Sequence, residues 1–324
     1  MNSRFQSQRY WSRALLLMTL GCAGAHAQVS PAVAPPVVKA APAMPGRVLV
    51  LGRVSNDPQR DFERLKPLLD YVVKQLEPHG VRAGRLLMAQ DAQRMVSYLR
   101  RGKIDWVSET AGAAMALEER AGAVTQLVDM RHGESSYRTV FFTRRDSDIR
   151  TLADLRGRSL ALQSPASTSA YFVPLAEVMD AGVTPLILAS PYDRPPPAVM
   201  GFVLARSEFN ISTWVAKRLI DAGAYSDSDW ADRARLPEAF RESLVTFHVS
   251  EPVPRALELF RSDLEPALAV ALRTVLINAG DDPQAAAALK AFFNTDRFQP
   301  VTSEQAATLA ALRQSIVRIR AEVE

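Results

Sequence analysis

The apolar positions of this chain follow two alternating patterns, short unbroken runs and longer stretches with a helical period. Residues 47–51 form an apolar run closed by Gly52, which reads as a buried strand. Over residues 61–76, Phe62, Leu65, Leu68, Leu69, Val72 and Leu76 recur on one helical face, and Pro67 within the stretch predicts a kink or a late start. Asp91 is placed to cap a second helix that carries Met95, Val96 and Leu99 and stops at Gly102. Residues 104–107, 127–130, 138–143 and 159–162 read as further strands. Thr151-Leu152-Ala153-Asp154 has the form of a capping box opening a short helix that Gly157 ends.

Beyond residue 185 the pattern loosens. Residues 198–204 suit a strand and 211–219 a helix, with Ala222-Gly223-Ala224 as the end of that helix and the turn after it. Residues 244–249 are a clear strand before Pro252 and Pro254. Residues 257–277 hold helical material interrupted by Pro266, and 306–323 form a last amphipathic helix. Strand, turn and helix alternate without an internal repeat, which predicts an α/β fold.

The first residues carry a different signal. Arg4, Arg9 and Arg13 precede a short apolar stretch at 14–25, and Ala25-His26-Ala27 has the small-x-small form of an export cleavage site. An apolar stretch of about a dozen residues is too short to cross a bilayer as a helix. Residues 1–27 therefore read as a signal peptide, and the mature chain as a soluble periplasmic protein. Residues 28–46, rich in Ala, Pro and Val and without a period, read as a tether. Cys22 is the single cysteine of the chain and lies within the signal. Cleavage after Ala27 leaves no thiol, whereas lipidation of Cys22 after Gly21 would make the chain a lipoprotein.

The formal charge of the whole chain is +4, and residues 1–27 contain three arginines and no acid, so the mature chain keeps +1. No basic block is left to track a nucleic-acid backbone, which excludes nucleic acid as a partner. Roughly 300 mature residues suit two lobes. The sequence has no zinc-ligand spacing, phosphate-loop signature, dinucleotide glycine pattern or nucleophile elbow. His79, His132 and His248 stand far apart, and His248 reads as a core or rim histidine of its apolar strand. The paired acids Glu118-Glu119 and Asp281-Asp282 read as solvated helix faces or caps. No metal, cofactor or catalytic residue is expected, and the chain is not expected to be an enzyme.

Residues 164–174 are the most informative stretch. Ser167-Thr168-Ser169 sits at the turn between the strand at 159–162 and a helix beginning near Leu175. Hydroxyls beside the unpaired N–H groups of a helix start can hold an anion without a formal positive charge. The same residue types also serve as ordinary N-caps.

Several stretches together resemble the solute-binding proteins of phosphate/phosphite/phosphonate ABC importers. Residues 144–161, running into Ser167-Thr168-Ser169 and Pro174, carry most of the resemblance. Arg64-Leu65-Lys66-Pro67-Leu68, Gly102-Lys103-Ile104-Asp105, Asp221-Ala222-Gly223-Ala224 and Val249-Ser250-Glu251-Pro252-Val253-Pro254 add to it, over residues 47–320 in all. The resemblance implies the type II periplasmic-binding-protein fold, two α/β lobes, each a mixed sheet flanked by helices. The two strands joining the lobes would cross near Val140-Phe141-Phe142 and Val245-Thr246-Phe247. One lobe would then hold residues 47–142 and 247–324, and the other residues 143–246.

By the same resemblance a small oxyanion is held between the lobes by Ser167, Thr168 and Ser169. Further contacts would come from Ser55, Asn56, Ser108, Glu109, Thr110, Glu208, Tyr225 and Glu251. The chain departs from the phosphonate binders at three places. The loop at residues 108–115 lacks their Gly-Pro and tyrosine, Glu208 stands where they tend to have histidine, and Arg255-Ala256 follows Pro254 without the acid that meets an aminophosphonate amine. Glu109 and Glu208 either face solvent or meet a cationic part of the ligand. The resemblance implies a monomeric receptor that delivers its ligand to an inner-membrane ABC permease. The alternative is the same receptor serving a histidine kinase or chemoreceptor.

Overall fold

The computed structural model describes residues 46–55 and 57–323, so the expected signal peptide with Cys22, the tether up to residue 45, and Asn56 lie outside the described residues. β1 (Arg47–Val54) buries Leu49, Val50 and Leu51. α1 (Pro58–Gln75) starts earlier than the periodicity predicts. The Asp57 side chain accepts from the Arg60 N–H, and Pro58 fills the first helical position, where a missing N–H costs nothing. The helix runs on through Pro67 and buries Leu65, Leu68, Leu69 and Val72. β2 (Val81–Ala89), α2 (Ala92–Arg100), β3 (Trp106–Thr110), α3 (Ala111–Ala121) and β4 (Val124–Arg131) follow, with Asp91 capping α2 as expected.

The chain then passes through the short β5 (Ser136–Tyr137) into β6 (Thr139–Arg144), β7 (Ser159–Leu162), α4 (Val173–Asp180), β8 (Thr184–Ile187) and β9 (Val199–Leu204). The capping box at Thr151 and Asp154 is present. α5 (Glu208–Ala216), β10 (Ala222–Ser226), α6 (Asp227–Ala231), α7 (Glu238–Arg241) and β11 (Leu244–Val249) come next. β12 (Val253–Pro254) leads back to β13 (Ala256–Phe260), α8 (Pro266–Ala279), α9 (Ala286–Ala291), β14 (Thr295–Gln299) and α10 (Ser303–Glu322).

The strands form two six-stranded mixed sheets, in the orders β14-β4-β13-β3-β1-β2 and β11-β6-β10-β7-β9-β8. Helices cover both, which is the expected α/β architecture. The crossing points differ from those expected. β6 and β11 pair with each other inside the second sheet, Phe142 opposite Thr246 and Val140 opposite Val249. The passages between sheets fall instead at β5 and β12, which pair as a two-stranded ribbon with Tyr137 opposite Val253. Phe141 and Phe142 are apolar because β6 is an inner strand covered on both faces, not because it is a hinge.

Two further expectations are corrected. Ala222-Gly223-Ala224 is not a turn but part of β10, between β6 and β7. Its small residues admit close packing, since a Cβ at Gly223 would lie 2.5 Å from Ile211 Cγ2. Pro266 does not interrupt a helix; it opens α8, and the apolar residues before it are β13.

α10 touches both halves of the chain. Arg313 and Arg320 pair with Glu118 and Glu119 of α3, and Arg318 reaches Asp180 of α4 at 2.6 Å. Glu118 is thus partly covered by α10, while Glu119 stays on the solvated face and pairs with Arg320 there. His248 pairs with Glu177 at 2.9 Å, as a rim histidine would. Among the described residues, no helix is long and apolar enough to cross a membrane.

Candidate functional site

β1, β3 and β4 run in the same direction, so their carboxyl ends share one edge of the first sheet. β7, β9 and β10 likewise end at one edge of the second. Ligands of open α/β sheets sit at such edges, and here the two edges meet. Thr110 Oγ1 donates to the Ala166 carbonyl at 3.1 Å, and Arg255 Nη1 reaches Ser228 Oγ at 3.1 Å. Thr168 Oγ1 accepts from the Gly112 N–H at 2.7 Å. That N–H belongs to the first turn of α3, whose own N-cap Thr110 makes no side-chain cap bond. A hydroxyl from the second sheet therefore caps a helix of the first.

Gly112 is small for the same contact, because a Cβ there would stand 2.5 Å from Phe172 Cδ2. Gly112→Ala should push the edges apart and raise the radius of gyration measured by small-angle scattering. Adding Phe172→Ala should restore it, and an unchanged radius in Gly112→Ala would refute this contact as the limit on approach.

The edge of the first sheet carries a cluster of arginines. Arg53 is the penultimate residue of β1, Arg131 ends β4, and Arg64 projects from α1; their guanidinium carbons lie 4.8, 5.0 and 5.3 Å from the centre of the Phe293 ring, in the order Arg53, Arg131, Arg64. Arg255, just before β13, lies 4.9 Å over the ring of Tyr137. The Nε donors of Arg53 and Arg255 are buried without a hydrogen-bond partner among the described residues. Burial pulls the Arg64 and Arg131 guanidiniums below the ordinary arginine range.

Acids lie beneath these cations. Asp129, fully buried, accepts from Arg131 Nε at 2.7 Å. Glu109 is buried, accepts from the Val54 N–H at 2.6 Å, and approaches Arg53 at 3.9 Å. Burial holds its carboxyl above the usual range despite Arg53. Deeper in the sheet, Glu258 accepts from Ser108 Oγ at 2.8 Å and from the Trp106 indole N–H. Its carboxyl is pushed up to about 8, by burial first and by Asp129 second.

The expected site residues divide into three groups. Glu109, Thr110, Thr168 and Ser169 lie together where the edges meet, with Tyr137 hydrogen-bonded to the Thr168 and Ser169 side chains. Ser55 follows β1 and accepts from the Asp57 N–H, and Ser167 caps the next turn by accepting from the Ala170 N–H. Glu208 opens α5 and pairs with Arg235 at 3.5 Å, its carboxyl raised by burial and then by Asp229. Neither Glu109 nor Glu208 points into solvent.

Three residues stand elsewhere. Tyr225 is buried against Phe142 and Trp230 and bonded to Ser212, inside the second half. Ser108 is fully buried beneath the edge on Glu258. The Glu251 side chain is 92% exposed beside Arg138. Arg53, Arg64, Arg131, Tyr137 and Phe293 are missed by the sequence reading, because only the strand order brings them to one place.

Residues 53–306 match the family model described as ABC transporter, phosphonate, periplasmic substrate-binding protein. The Xanthomonas citri protein XAC2383, solved bound to chloride ion, is 45% identical, with 85% of this chain and 99% of that chain covered and a TM-score of 0.83. XAC2383 has also been solved bound to ATP, with 45% identity, 86% and 99% coverage and a TM-score of 0.82. PhnD1 from Prochlorococcus marinus, in complex with methylphosphonate, shares the fold at 17% identity, 84% and 99% coverage and a TM-score of 0.64.

Proposed function

The chain belongs to the phosphonate-type periplasmic substrate-binding proteins of ABC transporters, and from that membership we propose that it captures a phosphate- or phosphonate-type oxyanion where the carboxyl edges of its two sheets meet. The convergence of Arg53, Arg64 and Arg131 on Phe293 carries this reading. Guanidiniums match oxyanions with paired donors, and a partly desolvated setting strengthens each bond. XAC2383 holding chloride in one structure and ATP in another supports an anion site and extends the candidate ligands to larger phosphate-bearing molecules. Ser55, Asn56, Glu109, Thr110, Arg255 and the turn at Ser167, Thr168 and Ser169 complete the site in this reading. Export through residues 1–27 places the receptor beside the permease that takes its ligand.

Calorimetric titration and thermal shift with phosphate, methylphosphonate and ATP test it. A ligand that binds only the folded chain raises the melting temperature by mass action. Arg53→Ala with Arg64→Ala removes two charge-assisted contacts, each worth about 1.5–3 kcal/mol, and should weaken binding at least about a hundredfold. A double variant that binds as the parent does would refute the site, and a parent that binds no anion would refute the function.

A further inference from the structure

Phe293 (φ 55°) and Asn294 (φ 56°) are consecutive non-glycine residues in the left-handed region. Bulky side chains rarely adopt that conformation, and it persists only where the surroundings enforce it. The turn they form between α9 and β14 sets the Phe293 ring among Arg53, Arg64 and Arg131, each guanidinium carbon within 5.3 Å of the ring centre. No two of these cations can then be more than about 10 Å apart, close to the screening length of about 8–10 Å in 0.1–0.15 M salt, so they repel one another. The electron-rich face of the ring offsets part of that repulsion and fixes where each fork points.

Nearby acids do not balance the three charges. Asp129 neutralises Arg131 through a 2.7 Å bond. Glu109 stays 3.9 Å from Arg53 with its carboxyl raised by burial, and Arg64 has no carboxylate within 4 Å among the described residues. Three guanidiniums thus face two carboxylates, and an excess of positive charge remains.

We propose that Phe293 holds Arg53, Arg64 and Arg131 as one subsite for a terminal phosphoryl or phosphonyl group, selected by its two negative charges over a singly charged sulfonate of the same shape. The proposal rests on the anion-receptor reading above and adds to it the charge of the group bound and the residue that sets it. A terminal PO3 group offers as many free oxygens as there are guanidiniums, and its two charges draw more from the positive excess than a single charge does. Phe293 is a positioning residue, acting through the arginines.

Phe293→Gly tests this directly, since glycine adopts positive φ freely and only the ring is lost. Phe293→Trp keeps a ring with a stronger attraction for cations. Affinities for methylphosphonate and methanesulfonate are compared by calorimetry at a pH above the second ionisation of the phosphonate, with urea melts confirming that each variant is folded. The parent should prefer the phosphonate. Phe293→Gly should lose about tenfold or more on methylphosphonate and much less on methanesulfonate, and Phe293→Trp should keep the preference. A folded Phe293→Gly that keeps the preference, or that weakens both ligands equally, overturns the proposal. A parent that binds methylphosphonate and methanesulfonate equally overturns this proposal alone, and failure to bind any anion overturns the receptor reading as well.

Discussion

Replacing Glu258 by Gln should flatten the pH dependence of stability between about pH 5 and pH 8. Glu258 is fully buried, and its carboxyl is pushed up to about 8 by burial and by Asp129. In the unfolded chain a glutamate ionises near about pH 4.3. Between those values the folded protein holds one proton more than the unfolded chain, so stability falls as pH rises and levels off once the folded carboxyl has ionised. The contribution amounts to as much as about 5 kcal/mol across the window, from the size of the shift. A neutral amide has no such slope. Glu258→Gln gives up part of the bonding to Ser108 or Trp106 at low pH, about 1 kcal/mol, and should be the more stable protein at pH 8. Urea unfolding midpoints from pH 5 to 9 decide it, and parallel curves for parent and variant would refute the assignment.

The same buried layer shows what the sequence could and could not disclose. Leu49 to Leu51 and residues 159–162 were legible as strands because inner strands are apolar on both faces, and α1 because its period is unbroken. β2 escaped because its burial alternates weakly and Arg82 and Arg85 interrupt the apolar pattern. β13 was read as helix because Ala256 to Phe260, buried throughout, runs directly towards the helical residues after Pro266. The crossings were misplaced because β5 and β12 are two residues each, too short to give any periodic signal.

At the site, the Ser167-Thr168-Ser169 turn was legible as local chemistry on a strand-to-helix connection. Glu109 stood out as a departure, but its direction was decided by a bond from Val54, which is distant in sequence. The arginines had no local signature at all. Arg53 and Arg131 sit on separate strands and Arg255 just before a third, and only the order β4-β13-β3-β1 turns three ordinary charges into one cluster.

The double replacement Ser167→Ala with Thr168→Val should cost the receptor at least about a hundredfold in anion affinity, by two different routes. The Thr168 hydroxyl is buried and accepts from Gly112 across the meeting edges. Valine leaves that N–H unsatisfied, at about 1–3 kcal/mol, and the cost falls only on the form in which the edges meet. Ser167 Oγ accepts from the Ala170 N–H, which leaves its own proton free to donate to an anion. Losing that donation costs about 1.5–3 kcal/mol of binding, and losing the cap costs about 1 kcal/mol of folding stability whether or not ligand is present. Titrations and denaturant melts on both single variants separate these routes. Thr168→Val alone should weaken binding and leave the ligand-free chain less compact by small-angle scattering. Ser167→Ala alone should lower both affinity and stability. Lowered stability with unchanged affinity in Ser167→Ala would show that this serine is a cap and nothing more, and unchanged affinity in the double variant would remove the turn from the binding site altogether.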